Sequence, residues 1–387
     1  MRRRNILLAV GLSTLLSVCV AEIGLRIFSP RRTYEVLTAA YPAMFDSSDV
    51  MPYRLRSGYT GRLSNIDFDT TIHINSLGHR GSEFNEAKTD KRRVLVIGDS
   101  FTFGWGVNDG ETYPALLQKY LETRSSPAVE VINAGFAAGY SPDTYYLYLK
   151  NEGLRLRPDA IVVGLFVGND LDSDAAFENE WLNTDAQGLP LSIRNQHSRV
   201  VDHYLVPWPI PVRYRTPILS RLHVYQGLFD IWWELSPRLR AWLPTGTTVY
   251  AQSPAGASDD NVPYNYRVRF ADRTNTVYAR VKALLAAMQK LATTSGVPIY
   301  FMVIPESVQL QPGAYLGLPA DMAKPQKELA AFFDASNMKH LDLLPFLREQ
   351  AAGAVLYFPN DGHFTVDGNR LAAERLGEFL QLEWLQP

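Results

Sequence analysis

Cysteine is almost missing from this chain: Cys19 is the only one in 387 residues. That excludes an intrachain disulfide and any cysteine-built metal site. An excess of either charge is missing too, with 38 Lys and Arg against 40 Asp and Glu and a formal net charge of -2. Beyond the first few residues no basic run is interleaved with aromatics, which argues against nucleic acid as a partner. There is no internal repeat and no low-complexity tract. His73, His79, His197, His203, His223 and His340 are scattered without ligand spacing, so they suggest neither a metal constellation nor a cofactor. What is present is an ordinary globular composition, 46% hydrophobic and 20% charged, on a length that suits one large domain or two smaller ones.

The N-terminus departs from that composition. In "MRRRNILLAVGLSTLLSVCVAEIGLRIFSP" a basic head, Arg2 to Arg4, precedes an uncharged apolar run from Ile6 to Ala21. As a helix the run reaches only about 24 Å, short of the roughly 30 Å hydrocarbon core, unless Ile23, Leu25 and Ile27 extend it and Glu22 and Arg26 pair or snorkel. A signal anchor follows from the arginine head: a single pass through a bacterial inner membrane, with the rest of the chain facing the periplasm. Arg26, Arg31 and Arg32 on the far side weaken the charge contrast. A cleaved secretory peptide follows from the small residues of "CVA", giving a protein secreted after cleavage near Ala21. A lipoprotein at Cys19 requires a small residue where "LSVC" has Val18. Each of these exports the remaining chain, and the anchor is the reading adopted.

Residues 31–90 read as a polar stem with a lead-in β segment, "DFDTTIHIN", in which Phe68, Thr70, Ile72 and Ile74 share one face. From residue 91 to 387 continuous apolar strands alternate with amphipathic helices. "RVLVIGDS", "AVEVINAG", "PDAIVVGLFVGND" and "VPIYFMVIP" are strands, "KHLDLLPFL" begins as one, and a final helix runs from Asp367 to about Glu383. That alternation predicts an α/β fold with a central parallel sheet covered on both faces. An insertion at about 172–270 interrupts it. From His203 to Pro244 this insertion holds four of the seven tryptophans with many prolines and arginines. It is a lid, a sugar-binding wall, a surface lying on the membrane, or simply a helix whose Leu222, Tyr225, Leu228, Phe229 and Trp232 pack as one core face.

Three fragments fall at the ends of expected strands or ahead of the last helix. Ser100 of "GDSFTFG" ends a strand at the edge where parallel sheets present their functional groups. Asn169 of "VGND" ends another. In "NDGHFTVDGNR" Asp361 precedes His363 by two residues, and a serine nucleophile needs such a base, held in one tautomer by an acceptor on its other nitrogen. Each fragment alone is weak; Gly-Asp-Ser arises by chance in roughly one chain in ten of this length. The conjunction carries the reading.

Together these fragments resemble the SGNH/GDSL hydrolase superfamily, from about Asp67 to the C-terminus less the insertion. The resemblance implies a three-layer, flavodoxin-like α/β sandwich, with Ser100 as nucleophile and as an oxyanion donor through its own N–H, and His363 as general base. Asn169 is implied as an oxyanion donor, with Val167 where many members have glycine. In "NAGFAAGYS" Gly139 is the implied third donor and Gly135 the fallback, because the segment carries one extra residue. The chain departs from the family in one important place. The usual acid position, three before the histidine, is Asn360. Asp361, at the spacing seen in periplasmic alginate-acetylation proteins, is taken as the acid. Asp99 is read as tying down the turn. The expected function is serine-dependent hydrolysis of acyl esters on a carbohydrate or lipid of the cell envelope. One alternative is an O-acetyltransferase of an exported polysaccharide. The other is a non-catalytic polysaccharide-binding or assembly factor, which would have no need to keep Ser100, Asn169 and His363.

Overall fold

A computed structural model gives the structure, which describes residues 2–124, 128–171, 182–193, 198–235, 272–311 and 321–385. Trp181 and Trp242 of the aromatic insertion lie outside the described residues. In chain order the main elements begin with helix α1 (Arg2–Phe28), strands β1 (Thr60–Ser64), β2 (Asp69–His73) and β3 (Arg92–Gly98), and helices α2 (Ser100–Phe103) and α3 (Tyr113–Glu122). Next come β4 (Val129–Gly135), α4 (Pro142–Asn151), β5 (Ala160–Phe166), β6 (Leu182–Thr184), β7 (Pro190–Ile193), β8 (Ser198–Val201), β9 (Tyr204–Pro207) and α5 (His223–Leu235). The chain closes with α6 (Asp272–Thr294), β10 (Ile299–Ile304), α7 (Lys324–Ala335), β11 (His340–Asp342), α8 (Leu344–Gln350) and α9 (Val366–Glu383). It divides into two compact units, Met1–Phe45 with Gln196–Gln252 and Asp46–Asn195 with Ser253–Pro387.

The larger unit is built on a five-stranded sheet in the order β11-β10-β5-β3-β4, every pairing parallel. Val94, Val96, Val162, Met302 and Ile304 point to one face, where Leu117 of α3 and Leu371 and Leu376 of α9 complete the core. Leu95, Ile97, Ile161, Val163, Phe301 and Val303 alternate with them, and these too are buried. Helices α4 and α6 pack together over that second face, and Phe333 of α7 stacks on Phe301. A strand hydrophobic on both sides is stable only between two helical layers, each fully buried side chain contributing about 1.5–3 kcal/mol. Along α6, Val277, Val281, Leu284, Leu285 and Met288 are buried as the periodicity predicts. Ala292 rather than Leu291 takes the last inward position.

Numbered by their sequence, the five strands stand in the order 2-1-3-4-5, so the chain reverses direction between β3 and β5. A crevice at such a switch point, outside the carboxyl ends of the strands, is where open α/β sheets place ligands. The hairpin β1–β2 belongs to this unit and alternates as expected, with Phe68, Thr70, Ile72 and Ile74 buried.

In the smaller unit α1 is long and apolar enough to be a membrane span or a signal sequence. The helix continues past Ala21 to Phe28, and Glu22 accepts a hydrogen bond from Arg26 at 2.9 Å. Elsewhere in the unit Leu37, Val206 and Tyr214 form a small core beside the hairpin β8–β9.

Candidate active site

Strand β3 ends at Gly98, and the chain turns directly into α2, a single turn of helix. Asp99 caps it: its carboxylate accepts the N–H of Phe101 at 2.9 Å. Gly98 is required there, because a Cβ would lie 2.1 Å from the Thr102 hydroxyl. The turn leaves Ser100 partly exposed at the sheet edge, with Phe101 and Phe103 buried behind it.

The histidine arrives from the other end of the chain. The bridge between Tyr357 and Phe364 pinches off a tight loop, in which Phe358 N–H donates to His363 O and Gly362 takes a left-handed φ of 84°. Tyr357 hydroxyl anchors this loop to Pro305 O, at the end of β10. Thr365 then caps α9 by accepting the N–H of Gly368. His363 is thereby delivered to Ser100, with Nε2 2.7 Å from the serine Oγ, while Nδ1 lies 2.5 Å from Asp361 Oδ1. The imidazole rests between Phe101 and Trp105, with ring centroids 4.9 and 6.3 Å away.

Asp361 accepts more than the imidazole. Its Oδ2 takes a hydrogen bond from Asn65 Nδ2 at 3.0 Å, and the Trp105 side chain donates to the same carboxylate. Burial alone would raise its pKa. The hydrogen bonds from His363 and Trp105 and the nearby imidazole outweigh that and hold the carboxyl below its ordinary value. Asn65 belongs to the β1–β2 turn. Its Oδ1 accepts the N–H groups of Asp67 and Phe68, which fixes the amide with Nδ2 toward Asp361. Asp67 clamps the loop that carries Asp361 and His363 from the same turn, accepting Asn360 N–H, Asn360 Nδ2 and Asp361 N–H at 2.9, 2.7 and 2.8 Å. Asn360 therefore faces Asp67. Nothing in the sequence tied this turn, nearly 300 residues upstream, to the Asp-x-His loop.

Asn169, after β5, lies across the switch point from Ser100, and its Nδ2 donates to Asp99 Oδ2 at 2.9 Å. Asp99 thus does two things, capping the turn and orienting the Asn169 amide. Burial pushes its carboxyl pKa up, against the bonds from Asn169 and Phe101. Beneath it Asp170 is fully buried and accepts from Tyr145 hydroxyl and Phe166 N–H, with burial and the Asp99 charge raising its pKa well above the usual range.

The glycines of "NAGFAAGYS" separate in role. Gly135 is packed so tightly that a Cβ would lie 2.0 Å from Phe103 N, and its N–H already donates to Asn133 Oδ1. That removes the fallback donor. Gly139 is exposed on the loop after β4 with φ 61° and open space where a Cβ would stand. Among the described residues no hydrogen bond links it to Ser100, Asn169 or His363. A cavity of about 290 Å³ elsewhere in the unit is lined by Arg80, Asp109, Gln118 and Lys119, and by none of Ser100, Asn169, Asp361 and His363.

Residues 96–371 match the model of the GDSL-like Lipase/Acylhydrolase family. No curated protein matches the chain. Among solved structures it is similar to the acetyl xylan esterase AlAXEase, at 13% identity over 74% of this chain and 98% of that one, with a TM-score of 0.36. It is also similar to a lipase/acylhydrolase from Enterococcus faecalis, at 12% identity over 76% and 98%, with a TM-score of 0.39. A catalytic mutant of the acetylxylan esterase Axe2 from Geobacillus stearothermophilus stands at 11% identity over 78% and 100%, with a TM-score of 0.39.

Proposed function

The chain belongs to the GDSL-like lipase/acylhydrolase family, a family of ester-hydrolysing enzymes, and from that premise we propose that it cleaves acyl esters through an acyl-serine formed on Ser100. The observation that carries this reading is the hydrogen-bonded line from Ser100 Oγ through His363 to Asp361, at 2.7 and 2.5 Å. Ser100 Oγ attacks the ester carbonyl carbon as its proton passes to His363 Nε2, and the resulting imidazolium is stabilised by the Asp361 carboxylate. The tetrahedral intermediate collapses, the leaving alcohol takes that proton, and the acyl group stays on Ser100. Water then gives its proton to His363 and attacks the acyl carbon, and as this second intermediate collapses His363 returns the proton to Ser100 Oγ, releasing the carboxylic acid and the free serine.

The developing oxyanion is met by the Ser100 N–H, by the Asn169 amide and by the Gly139 N–H. One Asn169 amide hydrogen is held by Asp99, which leaves the other for the oxyanion and keeps the side-chain oxygen turned away. Such donors are worth about 10²- to 10³-fold each in rate. The substrate we propose is an acylated carbohydrate or lipid of the cell envelope, met outside the cytoplasm. The basic head and apolar helix at the N-terminus support that placement.

The test is single-turnover hydrolysis of p-nitrophenyl acetate by the full chain in detergent, with and without a panel of oligosaccharides, against Ser100→Ala as blank. A Ser100-dependent burst that turns over in water supports hydrolysis. A burst that stalls until sugar is added would make the enzyme a transferase. Release that is equal in Ser100→Ala removes the assignment of the nucleophile.

A further inference from the structure

Helix α5 carries an apolar stripe that the described residues of its own unit leave exposed. Leu228, Ile231 and Trp232, spaced three and four residues apart on one side, are 62%, 59% and 38% exposed. Just before the helix Ile218 and Leu219 are 80% and 48% exposed. The sequence offered Leu222, Tyr225, Leu228, Phe229 and Trp232 as a packed face. Leu222, Tyr225 and Phe229 are partly covered, Leu228 stays open, and Trp232 sets one edge of its ring against Phe229 and keeps 38% of its surface exposed.

The other side of α5 is stitched to the segment where the apolar run of α1 gives out. Glu22 accepts the N–H of Val224 at 2.9 Å, and Arg31 N–H donates to His223 Nδ1 at 2.8 Å. The Arg31 guanidinium reaches Asp230 at 3.4 Å, and Arg213 pairs with the same carboxylate. Glu22 and Arg26, awkward for a span if they lay inside it, thus sit at its end with partners. Because its polar residues are used inward, α5 leaves its apolar stripe open beside the exit of α1.

We propose that α5 is an interfacial helix, its Leu228–Ile231–Trp232 stripe lying in the headgroup and upper acyl layer of the same bilayer that α1 enters. Continuity with α1, which is apolar and exposed along its length, names lipid as the occupant. The surrounding composition fits an interface, where aromatic rings and long cationic side chains concentrate. Arg213 lies over Phe229 and Arg221 over Tyr34, at 5.1 and 5.2 Å from the ring centroids. Held at two points, this smaller unit keeps a fixed approach to the membrane instead of swinging about one helix.

The test uses the full chain with Cys19→Ser, reconstituted in phosphatidylethanolamine and phosphatidylglycerol vesicles, with single-cysteine variants Leu228→Cys, Ile231→Cys and, as the aqueous control, Arg199→Cys, each carrying a bimane fluorophore. None of these positions takes part in the esterase site, so p-nitrophenyl acetate hydrolysis should be unchanged in each variant, and circular dichroism and an unchanged thermal melt certify each fold. The expected result is blue-shifted emission at Leu228 and Ile231, quenched by brominated lipid and shielded from aqueous iodide, with the reverse at Arg199. Iodide quenching at Leu228 and Ile231 equal to that at Arg199 would overturn the proposal. So would shielding from both quenchers, which would mean that a protein or a second copy covers the stripe. Recovery from membranes of a chain beginning near Glu22, read by mass spectrometry, would remove α1 and overturn it as well.

Discussion

In the triad we propose, the acid Asp361 stands two residues before His363, where the resemblance implied three. Asp361→Asn should lower kcat for p-nitrophenyl acetate by about 10⁴-fold, the scale seen when a triad acid becomes its amide. The local donors give the reason. Asn65 Nδ2, 3.0 Å from Asp361 Oδ2, needs an acceptor there, so the substituted amide would turn its oxygen to Asn65 and its NH₂ to His363 Nδ1. Nδ1 would then accept instead of donating, the ring proton would move to Nε2, and Nε2 could no longer take the serine proton. Adding Asn360→Asp, which restores the acid at three residues before the histidine, should rescue nothing. Both Asn360 donors point at Asp67, so the new carboxylate would oppose an existing one and stand away from the imidazole. The assay is single-turnover kinetics of wild type, Asp361→Asn and the double variant, with circular dichroism to confirm folding. A double variant within about 10-fold of wild type, on a scale where 10-fold is 1.36 kcal/mol, would refute the assignment of Asp361 and the geometry behind it.

Trp105→Phe and Asn65→Leu each remove a donor from the Asp361 carboxylate, a charge-assisted bond worth about 1.5–3 kcal/mol; kcat should fall about 10- to 100-fold with KM little changed, and wild-type kcat in both folded variants would end the positioning role. Gly135→Ala should destabilise the fold by about 3 kcal/mol or more through its backbone clash with Phe103. Gly139→Ala, which meets no neighbour and keeps its N–H, should lose only about 1–2 kcal/mol for the left-handed φ; thermal melts compare the two. His79 is buried neutral, burial lowering its pKa from 6.5 to about 4. The unfolded chain therefore binds the proton first, and stability present above pH 6.5 is lost as pH falls toward 4, by about 3 kcal/mol in all. His79→Gln should flatten that acid limb of the melting profile, and an unchanged slope would locate the acid sensitivity elsewhere.

Much of this molecule was legible from local pattern. Strands apolar on every residue have one stable environment, between two helical layers, and so "RVLVIGDS" and "AIVVGLF" announced a parallel sheet before any contact was known. The same logic placed Ser100 and Asn169 at strand ends, since a strand's carboxyl edge follows from its direction alone. Asp361 and His363, two residues apart, carried their own geometry. What no local pattern held was the partnership of distant polar atoms. Asn65 and Asp67 read as parts of a polar stem, because hydrogen bonds leave no periodicity in sequence, and only the packed hairpin shows them gripping the Asp361–His363 loop. The different surroundings of Gly135 and Gly139 were likewise tertiary, because α2 presses on Gly135 and leaves Gly139 open. The sequence by itself determined the sheet, its carboxyl edge and the pairing of Asp361 with His363, because these depend on neighbours along the chain. Tertiary structure alone decided which amide faces which carboxylate and which side of α5 stays bare, because those depend on segments that meet only after folding.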